Sequence, residues 1–203
     1  MKAGAASGSP PPAGLEFFAV TQERWADLEK LFGPHGAYSG CWCMWWRLSR
    51  AEFGRQSAEQ RRVGLKELVD SGQAPGILAY LDNEPVAWVS VAPRESYPSL
   101  ERSRTLKRVD DQPVWSIVCF FVARPFRGRG LMVDLLRGAL AYAAQQGARI
   151  VEAYPVDPGD RTVHGNTEGF MGLITAFQRA GFVEVARRSP RQAVMRYILE
   201  RDR

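Results

Sequence analysis

Hydrophobic residues recur along the first part of the chain in two spacings, which predict a strand followed by a helix. LEFFAV, at 15–20, is a short apolar run typical of a strand. Trp25, Leu28 and Phe32 then fall on one side of a predicted helix. Thr21 stands at the position where a helix N-cap residue is expected.

The middle of the chain changes from a helical pattern to a strand pattern. Ser57 and Gln60 have the spacing of a capping box and predict the start of another helix. Two apolar runs on either side of 82–85 predict a β-hairpin, and 94–112 is predicted to be a polar loop. VWSIVCFFVA, at 114–123, is almost wholly apolar, as expected of a strand buried on both faces.

The rest of the chain alternates helix and strand. Helical spacing is followed by Met132, Leu135, Leu136, Ala139 and Ala143, and again by Phe170, Leu173, Ile174 and Phe177. Strands are predicted at 148–156, 182–189 and 193–199. The pattern as a whole predicts a mixed sheet with helices packed on it, in a single domain at 15–203. The segment 1–14, rich in Gly, Ala and Pro, is expected to be a disordered tail.

Composition and charge narrow the class of protein. Apolar residues make up 45% of the 203 residues, which is enough for a hydrophobic core. The net charge is +5, and 23 of the 27 basic residues are arginine, a balance that favours anionic ligands such as phosphates. The arginines are scattered and form no single stripe, so no nucleic-acid partner is expected. Three cysteines argue against a disulfide scaffold, no apolar run approaches a membrane span, and we expect a cytoplasmic protein.

The stretch FFVARPFRGRGLMVDLL, at 120–136, carries the strongest chemical signal. A buried strand leads through a turn with two glycines and three arginines into an amphipathic helix. The first amides of a helix have no partner within the helix, and the helix dipole adds positive charge there. Phosphate groups bind at such positions. The spacing fits neither G-x-G-x-x-G nor a Walker loop, so we expect a pyrophosphate held by backbone amides without a common nucleotide fingerprint.

In this context the stretch resembles motif A of the GNAT superfamily of N-acetyltransferases, whose pattern is Gln/Arg-x-x-Gly-x-Gly/Ala. The residues from Arg127 to Leu131 fit, whereas Met132 replaces the final small residue. TAFQRAGF, at 175–182, is similar to the late helix of the family and its closing Gly-Phe. The resemblance extends over most of the chain. It implies an α/β fold with a mostly antiparallel sheet of six to seven strands and about four helices. The sheet is expected to splay at the strand before the Arg-Gly-Arg-Gly turn.

The resemblance also implies acetyl-CoA as co-substrate, with no metal. By that likeness the backbone of Phe121, Val122 and Ala123 would bind the pantetheine arm. The pyrophosphate would be held at the turn by residues Arg127, Gly128, Arg129, Gly130, Leu131 and Met132.

Two catalytic positions of the family pattern are not matched. The tyrosine that the family often has on the late helix corresponds to Phe177, which has no proton to donate. The glutamate that the family often has on the strand before motif A has no counterpart in 114–123. Glu152 is the predicted base, because burial among apolar neighbours would raise the pKa of its carboxyl. Tyr154 or Cys119 is the predicted proton donor. His164, or a chain of water molecules, is the alternative relay.

CWCMWW, at 41–46, lies between the first two predicted helices, where the family holds much of its acceptor. Trp42, Trp45 and Trp46 either form the wall of a pocket for an aromatic, cationic or apolar amine or form a small local core. Cys41 and Cys43 with His35 lack the fourth ligand that a tetrahedral zinc site requires. The arginine-rich segment 94–108 is the second candidate for the acceptor site.

The sequence therefore predicts an acetyl-CoA-dependent N-acetyltransferase that modifies a primary amine of a small molecule or peptide by direct attack in a ternary complex. The alternative is a CoA-binding module with little turnover, acting as a sensor or scaffold. The sequence leaves open whether the chain forms a homodimer.

Overall fold

The computed structural model describes residues 14–159 and 169–199. Within these ranges, one seven-stranded sheet is flanked by six α-helices. The strands are β1 (Leu15–Ala19), β2 (Ile77–Leu81), β3 (Glu84–Pro93), β4 (Trp115–Val122), β5 (Ile150–Ala153), β6 (Val183–Ser189) and β7 (Gln192–Ile198). The helices are α1 (Trp25–Phe32), α2 (Arg50–Arg55), α3 (Ala58–Asp70), α4 (Pro98–Glu101), α5 (Met132–Gln145) and α6 (Ile174–Arg179).

The sheet has the order β1-β2-β3-β4-β5-β7-β6. Neighbouring strands are antiparallel except β4 and β5, which are parallel. This architecture confirms the mixed, mostly antiparallel α/β fold predicted from the sequence. The helix count is higher than predicted because α2 and α4 have only six and four residues, too few for a hydrophobic period to reveal.

Side-chain hydrogen bonds cap the starts of two helices, α3 and α2, whereas the N-cap predicted at Thr21 does not form. The predicted capping box forms: the Gln60 amide donates to Ser57 Oγ (3.2 Å) and the Ser57 amide donates to Gln60 Oε1 (2.8 Å). Ser49 and Glu52 form an equivalent box at the start of α2, which the sequence analysis missed. Thr21, by contrast, makes no capping hydrogen bond, because a 3₁₀ turn separates it from α1.

The predicted polar loop at 94–112 is wrong in its first part. Residues 94–96 form a 3₁₀ turn and α4 follows. Arg94, Tyr97 and Leu100 are almost completely buried, at 1%, 0% and 0% exposure. The sequence did not predict this burial, because one of the buried residues is an arginine whose partner Glu152 lies far away in sequence.

The predicted helix across Phe170 to Phe177 is interrupted. Residues 169–171 form a 3₁₀ turn, and Gly172 has a positive φ of 82°, which ends the helical path. Leu173 then pairs with Val156, and the Ile174 amide donates to the Val156 carbonyl (3.0 Å). The α6 helix begins only after this bridge.

The sheet has one apolar cluster on the face covered by α5 and α6 and two on the other face. The first cluster contains Ile117, Phe120, Leu135 and Phe177. The opposite face carries α1, α3 and the segment 41–46, with one cluster around Trp88 and another around Tyr97 and Tyr154. In the described residues, the longest helix falls short of what crossing a bilayer requires.

Candidate active site

Strand β4 separates from β5 halfway along its length. The last paired residues are Ile117 and Ala153, while β4 continues to Val122. On its other side β4 stays paired with β3, and the Ala123 amide donates to the Val86 carbonyl (2.9 Å). Hydrogen-bonded pairs alternate in an antiparallel ladder, so the backbone groups of Phe120 and Val122 point away from β3. The splay predicted from the resemblance is therefore present, with backbone groups directed into the gap.

The Gly-Arg turn after β4 leaves open space before α5. Gly128 and Gly130 have positive φ of 71° and 77°, and a Cβ built on either glycine meets nothing within 4 Å. Leu131 precedes α5 without any side-chain capping bond. The first amides of a 14-residue helix are thus left without a capping side chain at a turn that permits close backbone approach. This geometry suits an anion such as a pyrophosphate.

The arginines of the turn stabilise its path and add positive charge. Arg127 is exposed, and its Nε donates to the Val122 carbonyl (2.7 Å), one of the groups that face the gap. The Arg129 guanidinium lies 5.3 Å from the centre of the Phe126 ring. Both side chains therefore stay at the mouth of the turn.

Glu152 lies in a buried ion network and not among apolar side chains as the sequence analysis expected. Its carboxylate accepts hydrogen bonds from Arg94 Nη1 (2.9 Å), Tyr154 Oη (2.8 Å) and Arg196 Nε (2.8 Å). Glu152 and Arg94 are each 1% exposed. Both carboxylate oxygens of Glu152 are therefore occupied by protein donors, and neither is directed at the gap beside β4. The geometry favours a structural role for this side chain.

Tyr154 follows β5 at the point where the two strands have separated, and it is completely buried. Its hydroxyl donates to Glu152, and receives hydrogen bonds from Arg94 and from Ser116 Oγ (2.8 Å). Burial, followed by the negative charge of Glu152, raises the pKa of the Tyr154 hydroxyl well above its ordinary value. The group is therefore protonated at neutral pH and is a weak acid.

Phe177 is part of the core. It has 0% exposure, and its ring lies edge-on to Phe120 (6.0 Å) and Phe182 (5.2 Å). A Cβ added at Gly172 would come within 2.7 Å of the Phe177 ring. The position that the family often fills with a tyrosine is thus packed as an apolar site.

The three tryptophans of 41–46 lie in different surroundings. Trp42 is buried and stacks on Trp25 with ring centres 6.1 Å apart. Trp46 is buried at 8% exposure in the cluster that contains Tyr97 and Tyr154. Trp45 is half-buried, with the Arg50 guanidinium 3.8 Å from its ring centre. Two of the three therefore belong to the core, and Trp45 alone is partly open to solvent.

The three cysteines are free thiols gathered on one face of the sheet. Cys43 Sγ lies 3.4 Å from Cys119 Sγ and receives a hydrogen bond from the Trp88 indole (3.1 Å). Hydrogen bonding to Cys119 raises the pKa of the Cys43 thiol well above its ordinary value. No metal-binding group of His, Cys, Asp or Glu occurs among the described residues. His164 lies outside the described residues.

Sequence reasoning missed Arg94 and Arg196. Arg94 donates from Nε to Glu101 (2.8 Å) and from Nη2 to the Leu106 carbonyl (2.7 Å), while Arg196 also pairs with Asp110 (2.6 Å). A signal was available for Arg196, because AVMRYIL places one charge inside an otherwise apolar strand. No comparable pattern marks Arg94.

Comparison with known proteins finds one matching family. The family model "Acetyltransferase (GNAT) family" matches residues 41–165, more than half of the chain. A search of curated proteins with this chain finds no match.

Three solved structures share the fold at low sequence identity. A GNAT acetyltransferase from Listeria monocytogenes is 10% identical, with 91% of this chain and 95% of that chain covered and a TM-score of 0.56. One from Streptococcus agalactiae is 11% identical, with 93% and 98% covered and a TM-score of 0.54. An N-acetyltransferase from Staphylococcus aureus is 11% identical, with 93% and 100% covered and a TM-score of 0.53. From the family match, together with this shared fold, the chain belongs to the acetyltransferase (GNAT) family.

Proposed function

We propose that the protein is an acetyl-CoA-dependent N-acetyltransferase that transfers an acetyl group directly to a primary amine in a ternary complex. The acceptor is a small molecule or a peptide. The observation that carries the proposal is the uncapped start of α5 directly after Gly128 and Gly130. It lies beside the part of β4 that no longer pairs with β5. The backbone groups of β4 that face the gap and the first amides of α5 lie at the two ends of one short turn, and Arg127 of that turn donates to the Val122 carbonyl.

The residues present fit acetyl-CoA. The amides from Gly128 to Met132, with Arg127 and Arg129 beside them, would hold the pyrophosphate. The backbone of β4 would bind the pantetheine arm. Of Phe121, Val122 and Ala123, the register favours Val122, because the Ala123 amide is already bonded to Val86 and Phe121 faces β3 as well. Phe120 takes the place of the other two as the second backbone contact.

Acetyl-CoA supplies an activated acyl group whose leaving thiolate is the conjugate base of a thiol with a pKa near 8.5. Such a thiolate leaves without a strong acid, so the absence of a hydroxyl at Phe177 does not prevent transfer. An outward amide of β4 would stabilise the developing charge on the acyl oxygen. Much of the rate would come from holding both reactants in position, which can contribute about 7–11 kcal/mol.

The proton of the amine passes to water in this proposal, and Glu152 and Tyr154 act as positioning residues. Their hydrogen bonds tie β5 to Arg94 and Arg196, and thereby fix the point where β5 leaves β4. The Tyr154 hydroxyl proton stays with Glu152 (2.8 Å) in this proposal, and the thiolate leaves without a protein acid.

A comparison of two glycine variants tests the cofactor site. Acetyl-CoA at 100 times its dissociation constant stabilises the folded state by about 2.7 kcal/mol, which raises the Tm. Gly130→Glu should abolish this rise, because it places a side chain and a negative charge in the turn. Gly147→Glu is the matched control, since Gly147 has a similar φ of 82° and equally open surroundings at the other end of α5. An equal response of the two variants to acetyl-CoA contradicts the assigned site.

A panel of amines, with release of the CoA thiol as readout, tests the reaction. The second candidate function, a CoA-binding module with little turnover, is favoured by Phe177 and by the double pairing of Glu152. Binding of acetyl-CoA without thiol release from any amine would support it.

Location and partners belong to the same proposal. Three free thiols fit a reducing compartment such as the cytoplasm. A homodimer is compatible with the exposed edge strand β6, and we propose no nucleic-acid partner.

A further inference from the structure

Two neighbouring residues on the face of the sheet opposite α5 have buried N–H groups without a hydrogen-bond partner. They are the indole Nε1 of Trp46 and the Nε of Arg47. A buried donor without a partner costs about 1–3 kcal/mol, so such groups are uncommon in folded proteins. Two such donors occur here in successive residues, so one acceptor with two oxygens that reached both would satisfy them.

Arg47 also lacks an acidic partner among the described residues. Its guanidinium donates to the carbonyls of Pro75 (3.1 Å) and Ser96 (3.4 Å) and to the Tyr97 hydroxyl (3.3 Å). Of the buried guanidinium groups on this face, those of Arg94 and Arg196 each have two carboxylate partners, whereas that of Arg61 donates to three backbone carbonyls, one of them from its Nε. Arg47 is thus a half-buried positive charge balanced only by neutral oxygens.

Both residues lie close to the part of β4 that has left β5. Tyr97 Oη is 3.0 Å from Ser90 Oγ, and Ser90 stands opposite Cys119 on β4, beyond the last residue paired with β5. Trp46 shares a cluster with Val118 and Tyr154. Both side chains therefore pack near the point where β4 leaves β5, on the face of the sheet that carries the segment 41–46.

We propose that Trp46 and Arg47 bind a carboxylate of the acceptor, so that the substrate is an amine that also carries a carboxyl group. This proposal rests on the proposed acetyltransferase function and names its substrate class. A carboxylate offers two oxygens, one for the indole N–H and one for the guanidinium, and hydrogen bonds to charged groups are among the strongest in proteins. The bond from Arg47 to Ser96, the longest of its three, is the one that the carboxylate would replace.

The kinetic test uses matched pairs of acceptors, each an amino acid and its amide, with acetyl-CoA and detection of the released thiol. Wild-type protein should prefer the carboxylate form by at least tenfold in kcat/KM, which corresponds to about 1.4 kcal/mol. Arg47→Met and Trp46→Phe should each reduce that preference, mainly through KM. Equal kcat/KM for acids and amides would overturn the carboxylate site while leaving the acetyltransferase function intact.

A second measurement does not depend on turnover. The six tryptophans give six indole N–H signals in a ¹⁵N-correlation spectrum, and Trp46→Phe identifies one of them. Titration with the amino acids should shift the Trp46 signal, and the amides should not. Trp25 is an internal control, because its Nε1 is also buried and unpartnered but lies in the cluster around Trp88. A Trp46 signal that stays fixed, or moves together with that of Trp25, refutes the proposal even if no amine is acetylated.

Discussion

Replacing Glu152 with glutamine separates a structural role from a catalytic one. The substitution keeps the shape of the side chain and removes the charge that pairs with Arg94 and Arg196, at 2.9 and 2.8 Å. Breaking a buried ion pair by removing one partner typically costs about 3–5 kcal/mol. Because Arg94 and Arg196 keep Glu101 and Asp110 as partners, we expect the low end, about 3 kcal/mol.

The assay is urea unfolding followed by tryptophan fluorescence, with turnover measured on the folded variant. Glu101→Gln is the matched control, because Glu101 binds the same Arg94 but is 43% exposed at its side chain. An exposed partner contributes at most about 1 kcal/mol. A Glu152→Gln protein with wild-type stability and strongly reduced turnover would refute the structural reading and restore Glu152 as the base.

Three further predictions concern packing, backbone and pH. Phe177→Ala should cost about 3–5 kcal/mol in unfolding free energy, since it empties a fully buried site; a loss below 1 kcal/mol would contradict that packing. Gly76→Ala should destabilise by at least about 1–3 kcal/mol in denaturant unfolding, because its Cβ would lie 2.1 Å from the Val89 carbonyl oxygen. The control Gly54→Ala, in an open helical position, should be neutral or stabilising. Asp110 has its pKa lowered by the hydrogen bond from Arg196, so its contribution is present above about pH 3.9 and is lost as pH falls through the lower folded value. Asp110→Asn should therefore flatten the acid limb of the stability curve, and an unchanged limb would disprove this pairing.

The sequence revealed the parts of the fold that depend on local patterns. Motif A could be recognised from the sequence because its glycines and arginines are adjacent, between a strand and a helix. In the structure they form an open turn. The capping box at Ser57 could be predicted for the same reason, since its two hydrogen bonds join residues only three positions apart.

What the sequence did not reveal depends on distant partners. Arg94 is buried because Glu152 lies 58 residues further along the chain, and no local pattern records that contact. The sequence also did not show which tryptophans of the segment 41–46 are buried. Trp42 and Cys43 adopt positive φ of 45° and 52°, so the segment turns and does not alternate as an extended strand would.

The ion network spans the chain in a way that matters for its synthesis. Arg196 follows Glu152 by 44 residues, and β7, which carries it, pairs directly with β5. At a translation rate of about 5–20 residues per second, Arg196 is synthesised roughly 2–9 seconds after Glu152. Until then β5 has an unpaired edge with Ile150 and Val151 on it, next to a carboxylate that favours water over burial. The Glu152 carboxylate, which holds β5 in place once Arg196 is present, would therefore delay the burial of β5 in the nascent chain. During this interval the exposed strand would benefit most from a chaperone.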